Sequence, residues 1–139
     1  MKNFINLKDI PTKDLRKILN DAKKRKKKRK KLSTLDVDKD KPLKGKLIIQ
    51  MYEKPSSRTR LSFHLSIAQL GAGSITIKAN ELHLGKGGET LVDTAKILST
   101  YGDGFMLRTD SDKKIEDFSK NLTIPIINLL SPSSHPCQV

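Results

Sequence analysis

The sequence contains no tryptophan, a single cysteine and few aromatic residues, and these shortages exclude several classes of protein. One cysteine, Cys137, cannot form an internal disulfide framework, and such low usage is typical of a reducing compartment. No apolar run approaches the roughly 20 residues that a membrane span needs. The N-terminal residues also lack the continuous apolar stretch of a secretory signal. We therefore expect a cytoplasmic protein with no membrane partner.

The remaining composition indicates one folded domain. The chain has 139 residues, of which 35% are hydrophobic and 31% are charged. This length corresponds to a single domain of ordinary size. The apolar residues recur in short ordered runs that are able to form a core, which argues against a disordered chain.

The charge is strongly basic and unevenly distributed. The net charge is +13, and nine of the cations form the unbroken run Lys23–Lys31. This run is either a solvated helix end or a module that binds an anionic polymer or an anionic membrane surface. No RNA-binding aromatics, zinc ligands or helix-turn-helix pattern accompany it. We therefore favour the solvated segment and do not expect nucleic acid as a partner.

Arginine is scarce beside lysine and is concentrated at a few positions. Only six of the 28 cations are arginine, and three of these six are Arg58, Arg60 and Arg108 in the middle of the chain. The planar guanidinium offers phosphate or carboxylate two parallel hydrogen bonds, which lysine does not. These three residues either form an anion site or make ordinary surface ion pairs.

Strand and helix patterns alternate along the chain. Apolar residues at helical spacing predict a first helix, capped by Thr12, that runs into the basic segment. Short β-rich runs predict strands at 46–52, 74–78, 104–108 and 124–130, and helical patterns occupy 57–70, 89–101 and 113–120. No hairpin signal occurs. The pattern predicts an α/β fold, an open parallel four-stranded sheet with helices on both faces.

Polar residues follow three of the predicted strands. Residues 56–59 (SSRT) follow the first strand and open a helix, Arg108 ends the third strand, and His135 follows the fourth. Ligands of open parallel sheets bind beyond the carboxyl ends of the strands, and a helix N-terminus suits phosphate. The alternative is a capped helix with surface arginines. Neither a P-loop nor a GxGxxG motif supports nucleotide binding.

These segments carry a family resemblance. The SSRTR segment followed by LSF resembles the STRTR-SF signature of carbamoyltransferases, and HPCQ near the end resembles their HPxQ motif. Three further segments, EKP, LHLGKGGETLVDTAKILS and GFMLRT, resemble the ornithine branch, and the aspartate-type enzyme is the alternative. The resemblance extends from about Asn6 to the last residue.

The resemblance implies a role for each matching residue. The segment that binds the phosphate of carbamoyl phosphate matches Ser56, Ser57, Arg58 and Thr59. Arg108 matches the arginine that bridges the phosphate and the carbonyl oxygen, and His135 matches the histidine that donates to that oxygen. The catalytic set implied in this way comprises Arg58, Thr59, Arg108 and His135.

Three other positions are assigned by the same resemblance. Gln138 matches the glutamine that orients the carbamoyl nitrogen. His83 lies in a loop that, in the family, reaches the site of a neighbouring subunit. Arg60 is expected to have a structural role in an ion pair.

The implied reaction transfers the carbamoyl group from carbamoyl phosphate to the side-chain amine of L-ornithine, giving citrulline and phosphate. The resemblance implies no metal and no organic cofactor, a homotrimeric assembly and a place in arginine metabolism. Donors aimed at the carbonyl oxygen and at the leaving phosphate would lower the barrier electrostatically.

The sequence departs from the family pattern at several points. Ser57 replaces a threonine and keeps the hydroxyl, and an extra glycine in the segment Gly85–Gly88 bears on how His83 and Lys86 reach across a subunit interface. The ornithine-binding motifs of the second domain do not occur. We therefore expect residues 1–139 to be the carbamoyl phosphate-binding domain of a truncated protein, with little turnover alone.

Overall fold

The computed structural model describes residues 3–78 and 89–137. Four strands and four α-helices alternate within them. The strands are β1 (Leu47–Tyr52), β2 (Gly73–Lys78), β3 (Gly104–Arg108) and β4 (Ile126–Leu130). The helices are α1 (Thr12–Lys28), α2 (Arg58–Gln69), α3 (Leu91–Tyr101) and α4 (Asp112–Asn121), and 3₁₀ turns occupy Leu7–Asp9 and Arg29–Lys31. No helix in these ranges is both long and apolar enough to cross a bilayer.

The strands form one parallel sheet in the order β2-β1-β3-β4. Ile49 of β1 pairs with Ile75 of β2 on one side and with Phe105 of β3 on the other. The chain leaves β1 toward β2 and later returns to β3 on the opposite side of β1. The order therefore reverses between β1 and β3, which is where open α/β sheets bind ligands. The predicted α/β fold is confirmed.

Apolar side chains cover both faces of the sheet. On one face, α3 and α4 pack against the sheet through a cluster that includes Phe105, Leu98 and Phe118. On the other face, Ile67 of α2 packs with Ile48, Met106 and Leu129. Four consecutive residues of β1, 48–51, are buried, as expected for a central parallel strand. The predicted helices on both faces are confirmed.

The bounds of the elements differ slightly from the expectations. Thr12 does not cap α1, because it is the first helical residue and follows Pro11. Pro125 lies just before β4 rather than inside it, since proline cannot donate to a strand ladder. Gly71 follows α2 with a φ of +90°, a conformation that favours glycine and is typical of a residue that ends a helix.

The N-terminal segment adds a short extension to the sheet edge at β4. Phe4 forms a parallel bridge with Ile127. Its amide donates to the carbonyl of Ile126 at 2.9 Å, and its carbonyl accepts from the amide of Asn128 at 2.9 Å. The backbone at Phe4 therefore satisfies polar groups at the edge of β4 that would otherwise lack a strand partner.

The basic run is divided between arginines that face the body of the protein and lysines that face solvent. Arg25 donates to Asp38 at 2.7 Å and to Asp40 at 2.8 Å, and Arg29 donates to Asp38 at 2.6 Å. All seven lysines of the run are exposed. The run therefore belongs to the end of α1 and its 3₁₀ turn, and its two arginines fasten that end to the loop before β1.

We expect an Asp38→Asn variant to lose about 2 kcal/mol of unfolding free energy, because two arginines would lose a buried anionic partner. Burial opposes ionisation of Asp38, but the hydrogen bonds from Arg25 and Arg29 outweigh it and lower its pKa. This contribution is therefore present above the ordinary carboxyl pKa and declines as the pH falls through the lowered value. Urea unfolding at pH 7 would measure the loss.

The exposed Glu116 provides a control with the same change in charge, Glu116→Gln. Equal unfolding free energies for the two variants at pH 7 would contradict the importance of the Asp38 network.

Candidate functional site

The ends of β1, β3 and β4 meet around one cavity of about 450 Å³. Its lining combines the loop after β1, the first turn of α2, the last residue of β3 and the segment after β4. The lining residues are Pro55, Ser56, Ser57, Arg58, Thr59, Ser62, Phe63, Arg108, Leu130, His135 and Cys137. Six of the residues predicted for the site therefore share one cavity: Ser56, Ser57, Arg58, Thr59, Arg108 and His135.

The guanidinium of Arg108 connects the end of β3 to the β1–α2 junction. Its Nη1 donates to Ser56 Oγ at 2.8 Å and to Thr59 Oγ1 at 3.3 Å. Because both hydroxyl oxygens accept from Arg108, their own protons remain able to donate to another group. The arrangement thus directs hydroxyl donors from the β1–α2 junction toward the cavity.

The start of α2 adds further donors. Ser57 is the N-cap residue, and its side chain makes no capping hydrogen bond. The first amides of a helix have no acceptor within the helix, and they carry a partial positive charge. Arg58 follows directly and is exposed. This end of α2 is therefore suited to an anion rather than closed by a side-chain cap.

His135 lies at the same cavity on the segment that follows β4. Its Nδ1 is buried and has no hydrogen-bond partner among the described residues, and the same is true of Arg108 Nε. Burial, followed by the nearby charge of Arg108, lowers the pKa of His135 below its ordinary value. The imidazole is therefore neutral at pH 7, with one nitrogen protonated and able to donate.

A network not predicted from the sequence supports the ends of β1 and β3. The Glu53 amide donates to the carbonyl of Arg108 at 3.0 Å. The Glu53 carboxylate accepts from the hydroxyl of Thr109, and it also accepts from Lys114 Nζ at 2.5 Å. These bonds align the residues that flank Ser56 and Arg108. The sequence feature that could have indicated this network is the glutamate directly after a buried strand.

Arg60 lines a separate cavity of about 360 Å³, together with Tyr52, Glu53, Lys54, Pro55, Ser56 and Lys78. The expected ion pair of Arg60 is not formed with any residue in the described ranges, and the nearby carboxylate of Glu53 is bound to Thr109 and Lys114. Desolvation raises the pKa of Tyr52 to about 12, although Arg60 and Arg108 oppose this shift. Its hydroxyl donates to Gln50 Oε1 at 2.8 Å.

His83, Lys86 and Gln138 lie outside the described residues, as does the segment Gly85–Gly88. Cys137 lines the cavity and is exposed, and its thiol donates to the carbonyl of Asn128 at 3.5 Å.

The charges that line the cavity favour an anion. Two arginines, four hydroxyls and one imidazole line it, and no carboxylate does so within the described part of the chain. In residues 3–78 and 89–137, no three histidine, cysteine, aspartate or glutamate side chains are grouped to hold a metal ion. Fold and site together define an open parallel α/β domain with a basic, hydroxyl-lined cleft where the strand order reverses.

Comparison with known proteins assigns this class to a family. The family profile described as aspartate/ornithine carbamoyltransferase, carbamoyl-P binding domain, matches residues 2–139. The chain therefore belongs to the aspartate/ornithine carbamoyltransferase family.

Individual relatives agree with this assignment. The chain is 41% identical over 139 residues to the ornithine carbamoyltransferase of Brucella ovis, and it spans 43% of that protein. It superposes on 42% of the Pyrococcus furiosus ornithine carbamoyltransferase with 99% of its own length, a TM-score of 0.88 and 37% identity. The catalytic subunit of M. jannaschii aspartate transcarbamoylase gives a TM-score of 0.81 at 33% identity, over 98% of this chain and 43% of the subunit. The chain thus spans less than half the length of these relatives.

Proposed function

We propose that residues 1–139 form a carbamoyl phosphate-binding domain that supplies half of the active site of an ornithine carbamoyltransferase. One observation carries the proposal: two guanidinium groups, four hydroxyls and a neutral imidazole line one cavity, and no carboxylate opposes them in the described residues. Carbamoyl phosphate is a small dianion, so its charge and its oxygen atoms match this set of donors.

The phosphate end of the ligand is assigned to the β1–α2 junction. Ser56, Ser57 and Thr59 provide hydroxyl donors, Arg58 provides a guanidinium, and the first amides of α2 face the same region. Charged hydrogen bonds of this kind are roughly twice as strong as neutral ones. They would stabilise the negative charge that collects on the phosphate as it leaves.

The carbonyl end is assigned to Thr59, Arg108 and His135. The ornithine amine attacks the carbonyl carbon, and charge first develops on the carbonyl oxygen. The bond to the bridging phosphate oxygen then breaks, the amine passes a proton to the departing phosphate, and citrulline and phosphate result. A neutral imidazole with one N–H needs no raised pKa for this task, which agrees with the lowered pKa of His135.

The complete enzyme is also part of the proposal. We assign L-ornithine to the second half of the longer protein, because the relatives named ornithine carbamoyltransferase are more than twice as long as this chain. The ornithine branch is preferred over the aspartate branch on the EKPSSRTR and GFMLRT segments. We further propose a homotrimer in the cytoplasm, with a role in arginine metabolism, and assign the ligand contacts of His83 and Gln138 by family resemblance alone.

The proposal is tested by titrating the chain with inorganic phosphate and with carbamoyl phosphate, using calorimetry. An Arg58→Ala variant is expected to bind both about tenfold more weakly, since one charged hydrogen-bonding group is removed. Arg16→Ala removes the same charge from an exposed position on α1 and serves as the control. Equal affinities for Arg58→Ala and the unmodified chain would count against the site.

A further inference from the structure

Asn128 is a buried polar residue in an otherwise apolar strand, and the proposed ligand contacts do not include it. It lies in β4 between Ile127 and Leu129, and none of its surface is exposed. Burial of an amide side chain is costly unless its polar atoms are hydrogen-bonded. Asn128 Oδ1 has no hydrogen-bond partner among the described residues, so the contacts of Nδ2 indicate what the residue contributes.

The side-chain amide of Asn128 connects the segments before and after β4. Its Nδ2 lies 3.2 Å from the carbonyl oxygen of Ile5, 3.0 Å from Ser131 Oγ and 3.4 Å from the carbonyl oxygen of Ser134. Its backbone carbonyl also accepts from Cys137 Sγ at 3.5 Å. One residue thus contacts the N-terminal segment, both ends of the turn after β4, and a residue beyond His135.

The turn at residues 131–134 is closed around this amide. Ser131 N donates to the carbonyl of Ser134 at 2.9 Å, and Ser134 N donates in return to the carbonyl of Ser131 at 3.3 Å. On the outside, Asp112 Oδ1 accepts from the amide and the hydroxyl of Ser133. His135 follows Ser134 directly. This segment belongs to no regular helix or strand. Its bonds to Asn128 and Asp112 therefore set the position at which the chain reaches His135.

We propose that Asn128 is a positioning residue that fastens the 131–134 turn to the N-terminal segment and so holds His135 at the cavity beside Arg108. The inference rests on the proposed function only in treating this cavity as the anion site. The alternative is a purely structural amide, needed to satisfy the Ile5 carbonyl and without influence on the imidazole. The positioning role and the purely structural role can be distinguished because NMR measures the pKa of His135 directly.

An Asn128→Leu variant removes the Nδ2 group, whose two protons are shared among three acceptors, while keeping a side chain of similar size. Thr94→Val is the matched control, because Thr94 is equally buried in α3, on the opposite face of the sheet from α2. Three quantities would be measured for each: the melting temperature, the pKa of His135 by NMR, and the affinity for inorganic phosphate. Spectra of His64→Gln and His83→Gln variants would assign the His135 signals.

For Asn128→Leu we expect the His135 pKa to rise toward its ordinary value near 6.5, because a released imidazole regains solvent. Phosphate affinity should fall about tenfold, equivalent to one or two lost hydrogen bonds. Neither quantity should change in Thr94→Val. A lower melting temperature with an unchanged His135 pKa and unchanged affinity would overturn the proposal.

Two provisions keep the test decisive. If Asn128→Leu does not fold, Ser131→Ala removes the acceptor at 3.0 Å together with the 3.4 Å bond from Ser131 Oγ to the Ser134 carbonyl, and smaller shifts in the same directions are expected. No change in Ser131→Ala would overturn the positioning role. If the unmodified chain does not bind phosphate, the proposed function fails, whereas the pKa of His135 in the variants still decides the role of Asn128.

Discussion

An Arg108→Ala variant is expected to bind inorganic phosphate about 100-fold more weakly than the unmodified chain. The guanidinium of Arg108 supplies charge to the cavity and also accounts for the two bonds that orient Ser56 Oγ and Thr59 Oγ1. Its removal takes away charged hydrogen bonds to the anion and releases two further donors, a loss of about 3 kcal/mol. Calorimetric titration at constant ionic strength would measure the change.

An Arg108→Lys variant separates the effect of charge from that of geometry. Lysine keeps the positive charge but has no planar guanidinium to reach both hydroxyls. We therefore expect the phosphate affinity of Arg108→Lys to stay about tenfold below that of the unmodified chain. Full affinity in Arg108→Lys would show that only charge matters and would contradict the geometric account. Because Arg108 is partly buried, its substitution also affects the stability of the domain. Melting temperatures of both variants would separate that effect from the loss of phosphate affinity.

A Phe118→Ala variant is expected to lose about 4 kcal/mol of unfolding free energy, which is a large share of the stability of an ordinary domain. Phe118 and Phe105 are both fully buried, and their rings are 5.1 Å apart at an angle of 47°. The substitution leaves a cavity between α4 and β3. Urea unfolding should show a lower midpoint with an unchanged slope.

Tyr101 provides the contrast for this variant, because 73% of its surface is exposed. We expect Tyr101→Ala to change the unfolding free energy by less than about 0.5 kcal/mol. A loss in Phe118→Ala as small as that in Tyr101→Ala would mean that α4 does not pack on the sheet as described. Since α4 also carries Lys114, the partner of Glu53, weakened packing should reduce phosphate affinity as well.

The strands could be predicted closely from the sequence because each is a short apolar run bounded by turn residues. The predicted third strand, 104–108, coincides with β3, and the others differ from the observed bounds by two residues or fewer. Parallel pairing followed from the alternation of strands and helices. The amphipathic pattern of α3 was equally informative, since Thr94, Ala95 and Leu98 lie at helical spacing and all three are buried.

The first helix was less predictable because its apolar spacing does not correspond to burial. Ile18 and Leu19 lie on the predicted apolar face, yet each is about half exposed. Nor could the sequence distinguish Arg25 and Arg29 from the lysines around them, because their role depends on acidic residues in a later loop. Asp38 is brought to them only by the tertiary fold.

For the candidate site, the residues at the strand ends were predictable and their supports were not. A parallel sheet brings the ends of β1, β3 and β4 to one edge, so residues 56–59, Arg108 and His135 were expected to lie together. The bonds of Glu53 and Asn128 depend on distances of a few ångströms between remote segments. An asparagine within an apolar strand was the only signal for the second of these.

The short bridge at Phe4 bears on self-association. A terminal strand that lacks a neighbour offers its amides and carbonyls as a template for another molecule, which is a common route to aggregation. Here the backbone of Phe4 binds the amide of Asn128 and the carbonyl of Ile126. A chain trimmed of its first six residues would expose this border of β4, and trimming would promote oligomers joined edge to edge.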